Sequence, residues 1–278
     1  MTKKAINKDI DIADKNFKKL SIQVSLNGLS FCIADTVSHR VLLSDSILFS
    51  EEQHPEALLK EVKTLLGKHT LTGNQFDEVV VVHSNTLFSL VPKPLFNEES
   101  LSEYLKFNTK LLATDALAFD MLEGFDIVNI YVPFTNVNNY IYELFGEFTF
   151  LHNGSVLIQS LLDNYGNQGE SVCYVHVGQR QMDITVLKQK SLSFYNSFPY
   201  QTKEDFAYYL LFVLEQLDLD TETTAVRFFG TIEEDDAVFQ LCYSYINDLT
   251  IFAPSSPNHL NLGIPETSSI DFTVISTL

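Results

Sequence analysis

Apolar and polar residues alternate in short runs from Leu20 onward. Leu20 to Leu26, Leu29 to Ala34 and Val41 to Leu48 each read as a half-buried strand, with Gly28 at the first turn. Behind Pro55 the period lengthens: Leu58, Leu59, Val62, Leu65 and Leu66 recur at helical spacing, and Glu78 to Val82 then form an apolar strand. The pattern returns at an offset of 150 residues, from Gly28 to Gly178. Val172 to Val177, Met182 to Lys188 and Ser191 to Phe198 are the second meander. Phe206, Tyr209, Leu210, Val213, Leu214 and Leu217 form its helix behind Thr202, and Ala225 to Phe229 its next strand. A second helix follows in each copy, near Glu98–Phe107 and near Glu233–Tyr245. Each copy is therefore expected as strand–strand–strand–helix–strand–helix.

Between the copies the chain reads as strand, helix, strand, helix: Ile127 to Val132, Val137 to Phe145, Phe148 to Leu151, and Ser155 to Leu162. Tight meanders pair antiparallel, whereas strands separated by helices pair in parallel through crossovers, so mixed sheets covered by helices are expected. The polar and Pro/Ser-rich ends mark a leader over 1–18 and a tail over 254–278. A first lobe over 19–168 and a second over 169–253 lie between them.

Charge narrows the possible partners. Acidic residues number 36 and basic residues 18, a net of −18, yet residues 1–20 hold six Lys against three Asp. That leaves +3 on the leader and −21 on the remainder. Such a surface repels phosphate backbones and anionic lipid, which excludes a broad nucleic-acid or membrane-surface role. The basic start lacks the apolar run of a secretory signal, and no apolar stretch of about 18 residues follows, so a cytoplasmic protein is expected. Cys32, Cys173 and Cys242 sit in apolar-patterned segments and read as reduced core residues. The seven His are dispersed, and no metal site is expected. Tyr208-Tyr209 and Phe228-Phe229 fall in core patterns, while Tyr140, Tyr142, Tyr195, Tyr200, Tyr243 and Tyr245 could leave aromatic area for a partner.

The duplicated meander with alternating helices resembles the actin-like, ribonuclease-H-like superfamily of sugar kinases, heat-shock chaperones and actins. The local match is Val175-His176-Val177-Gly178-Gln179-Arg180-Gln181-Met182-Asp183-Ile184-Thr185-Val186, which is similar to the superfamily's second phosphate loop. Ile130-Tyr131-Val132-Pro133 and Phe150 to Leu157 are similar to its connecting region. Within the superfamily the chain most resembles a bacteroidete family of actin-like-fold proteins of unknown function, and the likeness covers roughly residues 20–252. It implies an α/β fold of two lobes, each a mixed sheet covered by helices. It also implies nucleotide-loop positions at Asn27, Gly28, His176, Gly178, Gln179, Arg180, Asp183, Gly230 and Thr231.

Several of those positions depart from what the chemistry requires. In the superfamily the hairpin turns offer backbone N–H groups to phosphate, and an Asp just before the Gly holds magnesium, usually through water. Here Leu26-Asn27-Gly28 and His176-Val177-Gly178 stand instead, and leucine has no oxygen while histidine is a poor ligand for a hard cation. Gln179-Arg180-Gln181 replaces small residues that let a backbone close on phosphate, although Arg180 could attract an anion. Gly230-Thr231 stands for the adenosine loop, and Glu233, Glu234, Asp235 and Asp236 beside it would repel polyphosphate. Gly28 and Gly178 also read as hairpin glycines needing positive φ, His176 as a hydrogen-bonded strand-end histidine, and Asn153-Gly154-Ser155 as a turn and N-cap. No catalytic residue, metal or cofactor is expected, with ATP and magnesium disfavoured. The reading is a non-catalytic scaffold or adaptor, a monomer or homodimer, that binds an unknown protein. The alternative is a divergent ATPase or kinase holding nucleotide in an interlobe cleft.

Overall fold

In the first strand, β1 (Lys18–Ser25), Leu20, Ile22 and Val24 are buried on one face, and Ser21 and Gln23 lie on the other. β1 pairs antiparallel with β2 (Gly28–Asp35), which pairs antiparallel with the exposed edge strand β3 (Arg40–Leu48). Proline at its start opens α1 (Pro55–Lys68), whose Leu58, Val62, Leu65 and Leu66 are buried on the face of Leu20 and Ile22. β4 (Glu78–Ser84) then returns parallel to β1. The computed structural model describes residues 16–107, 109–112, 114–165, 169–253 and 271–278.

After β4 the chain departs from the repeat. β5 (Phe88–Pro92), the short α2 (Leu101–Leu105), β6 (Ala118–Met121) and β7 (Ile127–Tyr131) make a separate antiparallel sheet in the order β5-β7-β6, with α2 packed on it. Only then come α3 (Thr135–Phe145) and β8 (Thr149–His152), and β8 pairs parallel with β4. The sheet order is β3-β2-β1-β4-β8. α3 adds Val137 and Ile141 to the core made by α1.

α4 (Asn153–Tyr165) leads to the second copy, built from β9 (Val172–Val177), β10 (Gln181–Lys188), β11 (Ser191–Pro199), α5 (Lys203–Gln216), β12 (Ala225–Gly230), α6 (Ala237–Tyr243) and β13 (Leu249–Ile251). Its order, β11-β10-β9-β12-β13, matches the first sheet position for position. α5 starts in a capping box: Thr202 Oγ1 accepts from Asp205 N at 3.1 Å and Asp205 Oδ2 from Thr202 N at 3.0 Å. One sheet face, carrying Cys173, Val175, Ile184 and Phe228, is closed by α5 and α6. At roughly 1.5–3 kcal/mol for each large side chain withdrawn from water, such faces dominate the stability of each unit.

The mixed sheets and covering helices are those expected, but the counterpart of α6 is α3, not the helix at 98–107. The offset of 150 between Gly28 and Gly178 falls to 102 between Thr135 and Ala237, so 48 residues are inserted before α3. The passage read as a connector therefore supplies the last helix and strand of the first sheet. The contact division between the two units falls within α4, at Val156/Leu157, earlier than the boundary expected after 168. Residues 1–15 of the leader and 254–270 of the tail lie outside the described residues. The last residues of the tail form α7 (Phe272–Ser276), which counts with the first unit and packs on β1 and β2. Val274 and Ile275 are buried there, and Ser21 and Thr277 share a hydrogen bond of 2.6 Å between their hydroxyls.

Candidate functional site

The first turn, at Asn27 and Gly28, closes on itself. Ser25 Oγ accepts from the backbone N–H of Asn27 at 3.2 Å and of Gly28 at 3.0 Å, and donates to Gly28 O at 2.9 Å. The N–H groups expected to face a ligand are thus held by a side chain. Positive φ occurs among the described glycines at Gly124, Gly146 and Gly230. Neither Gly28 nor Gly178 needs it, contrary to expectation. Gly28 is instead required by close approach, since a Cβ would lie 2.8 Å from Ile47 O on β3.

The remaining positions belong to the second unit. The β9–β10 hairpin closes with Gly178 N donating to Gln181 O at 2.9 Å, and Tyr200 N donates to Arg180 O at 3.0 Å. The Tyr200 hydroxyl donates to Gly178 O. Gln179 and Arg180 are exposed at the tip. Hairpin register sets His176 opposite Asp183 and Asp183 opposite Ser197, and both His176 and Asp183 are buried.

Asp183 is surrounded by donors. Its Oδ2 lies 3.2 Å from His176 Nδ1, and its Oδ1 accepts from Tyr195 OH at 3.2 Å, from Gln181 Nε2 at 3.3 Å and from Ser197 Oγ. Burial works to raise the carboxyl pKa, but the hydrogen bond and charge of His176, with the bonds from Ser197 and Gln181, outweigh it and hold the group below its ordinary value. An ionised carboxylate only accepts, so His176 Nδ1 carries the proton. Burial first, then the Asp183 charge, drives the Tyr195 phenol well above its ordinary pKa.

Gly230 and Thr231 meet the same hairpin. Gly230 pairs with Val177 across β12 and β9 at φ +100°, and Thr231 N donates to Val177 O at 2.8 Å. Phe229 places its ring 5.1 Å from that of His176. The acids that follow are exposed, with Asp236 Oδ2 accepting from Glu233 N at 2.8 Å. The structure thus gathers His176, Gly178, Asp183, Gly230 and Thr231 at one end of the second sheet.

These residues do not fit a magnesium–phosphate cradle. Leu26 offers no ligand, His176 Nδ1 is engaged by Asp183, both Asp183 oxygens receive internal bonds, and the turn N–H groups of Gly28, Gly178 and Thr231 have protein acceptors. Among the described residues no group of three or more His, Cys, Asp or Glu is arranged to hold a metal ion.

The first unit also buries a carboxylate that no sequence motif marks. Asp120 on β6 accepts from His152 N at 2.8 Å, Ser155 Oγ at 2.7 Å and Tyr131 OH at 3.2 Å. Ser155 is thus held by Asp120 inside α4, and Asn153 opens that helix. His152 Nδ1 accepts from Gly154 N at 3.1 Å, so its Nε2 carries the proton toward Asn85 O at 3.0 Å.

Comparison with known proteins matches the arrangement. Residues 7–249 match a family model described as a protein of unknown function, DUF3822. Among solved structures, a Bacteroides thetaiotaomicron VPI-5482 protein with an actin-like ATPase fold and unknown function is similar at a TM-score of 0.74 and 20% identity. That likeness covers 95% of this chain and 100% of the other. The PilM–PilN type IV pilus biogenesis complex gives a TM-score of 0.55 at 12% identity, over 93% of this chain and 97% of the other. No curated protein matches. The fold is the actin-like ATPase fold, and the chain, matched through both of its sheets, belongs to the DUF3822 family of proteins of unknown function.

Proposed function

We propose that this protein is a non-catalytic scaffold or adaptor that keeps the actin-like fold and acts by binding another protein. The observation that carries the reading is the closed state of the loop positions. Asp183, the acid retained in the second loop, is buried and surrounded by Ser197, Tyr195, Gln181 and His176. Phosphoryl transfer needs metal-bound phosphate and a positioned acid, and this carboxylate is committed to holding β9, β10 and β11 together. The PilM–PilN assembly supports a binding role by example, since it pairs a similar fold with a protein partner. No helix among the described residues is long and apolar enough to cross a membrane.

Calorimetric titration with magnesium and ATP tests the reading. No heat of binding is expected up to millimolar nucleotide; micromolar affinity together with hydrolysis of the nucleotide would establish the divergent ATPase instead.

A further inference from the structure

From Phe206 to Leu214, α5 carries apolar or aromatic side chains on every side. Phe206, Ala207, Leu210, Val213 and Leu214 are buried in the second core, yet the outer side carries Tyr208 at 63% exposure and Phe212 at 44%. Their rings stack at a centroid distance of 6.1 Å, and Leu211 is half-buried beside them. A surface helix ordinarily turns a polar stripe to water, and one that is apolar all round belongs inside. Adjacent exposed aromatic rings mark an interaction surface.

The flanks give the partner's charge. Glu204 and Glu215 are exposed at the two ends of the stripe, eleven residues apart, or about 16 Å at the helical rise. Among the described residues, the ion-pair neighbour of Glu204 is the exposed Lys203 at 4.0 Å. Residues 157–253 hold 14 acidic against 5 basic side chains, a net of −9 that attracts cationic partners to this unit.

We propose that the outer face of α5 is a docking surface for a basic amphipathic segment of a partner protein. The segment would lay apolar side chains on Tyr208, Leu211 and Phe212 and place Lys or Arg against Glu204 and Glu215. A partner helix meets both glutamates with basic residues eleven apart, and an extended segment does so with basic residues about five apart. The α5 face of a second copy does not suit the surface, because α5 against α5 sets glutamate against glutamate in either direction. The proposal rests on the adaptor reading and names its surface and partner chemistry.

The test uses two synthetic helical peptides with the same leucine face, one with Lys and one with Glu at two positions eleven apart. Fluorescence anisotropy measures their binding to the full chain. The Lys peptide is expected to bind, weakening with salt. The double variant Tyr208→Ser/Phe212→Ser, shown folded by circular dichroism, should lose about tenfold or more of that affinity. Glu204→Lys/Glu215→Lys should reverse the peptide preference. Equal binding of both peptides, binding unchanged in the serine variant, or a dimer that Phe212→Ser dissociates in sedimentation would each overturn the proposal. Failure here without any heat from magnesium–ATP removes this surface and leaves the adaptor reading; heat from magnesium–ATP removes that reading itself.

Discussion

Gly230→Ala separates a glycine kept for a ligand from one kept for the fold. An added Cβ would lie 2.5 Å from Val177 O, 3.0 Å from His176 Cδ2 and 3.1 Å from Val177 N. Val177 O cannot retreat freely, because it accepts from Thr231 N at 2.8 Å. A φ of +100° adds strain of about 1–3 kcal/mol for a residue with a side chain. The overlap with backbone atoms adds about 1–3 kcal/mol more. A total near 4 kcal/mol, at an unfolding slope of about 1.5 kcal/mol per molar urea, lowers the midpoint of the second unit's transition by about 2–3 M. Urea titration without nucleotide, followed by circular dichroism and tyrosine fluorescence, measures it. Gly178→Ala, with one contact at 3.0 Å to Gln181 O, should cost about 1 kcal/mol. Gly28→Ala, with contacts of 2.8 Å to Ile47 O and 3.2 Å to Leu48 Cδ2, should fall between the two. A loss below about 1 kcal/mol for Gly230→Ala, or a reversed order, would refute the packing account.

Other substitutions test the remaining features. Asp183→Asn sets an amide against the donors of Ser197, Tyr195 and His176 and should cost about 3–5 kcal/mol in chemical denaturation. Because the native pKa of Asp183 is depressed, its stabilisation is full above the unfolded carboxylate value of about 3.9 and is lost as pH falls through the native value. The gap between wild type and Asp183→Asn must therefore narrow below about pH 4; a gap constant with pH contradicts the assignment. Burial pushes the thiols of Cys32, Cys173 and Cys242 up to about 12, so a disulfide reagent at mildly alkaline pH should label none in the native protein and all three after denaturation. Val274→Ala, at a fully buried position of α7, should cost about 2 kcal/mol and lower the melting temperature by several degrees. An unchanged melt would mean that α7 contributes nothing to the first core.

The meanders, α1 and α5 could be read from the chain because each has a period that burial enforces. Ile22 and Val24 must alternate with Ser21 and Gln23, and Leu58, Val62, Leu65 and Leu66 must share one side of a helix. β5 and β6 carry too few residues for a period to emerge, so no periodicity marks the inserted sheet, and the helical pattern at 98–107 stands where the sequence leads one to expect the counterpart of α6. Tyr208 was assigned to the core because α5 has no polar stripe to mark an outside. The loop positions were identified but not their bonding. The signal was available in the hairpin, since positions equidistant from the turn pair, and His176 and Asp183 are such a pair. The cluster around Asp120 leaves no such trace, as it joins residues from β6, β7, β8 and the start of α4.

The final helices of the two copies have traded places. α4 follows the first copy's last strand, yet from Leu157 it counts with the second unit, where Tyr165 meets Tyr174 and Phe252. α7 follows the second copy's last strand and seals β1 and β2 of the first. A cut between the copies after α4 would therefore yield two pieces, each carrying a helix that counts mainly with the other unit. Expressed alone, each piece is expected to leave a sheet face without its helix. Expressed together, they hold complementary ends, which makes this chain a natural candidate for a split protein whose reassembly reports on proximity.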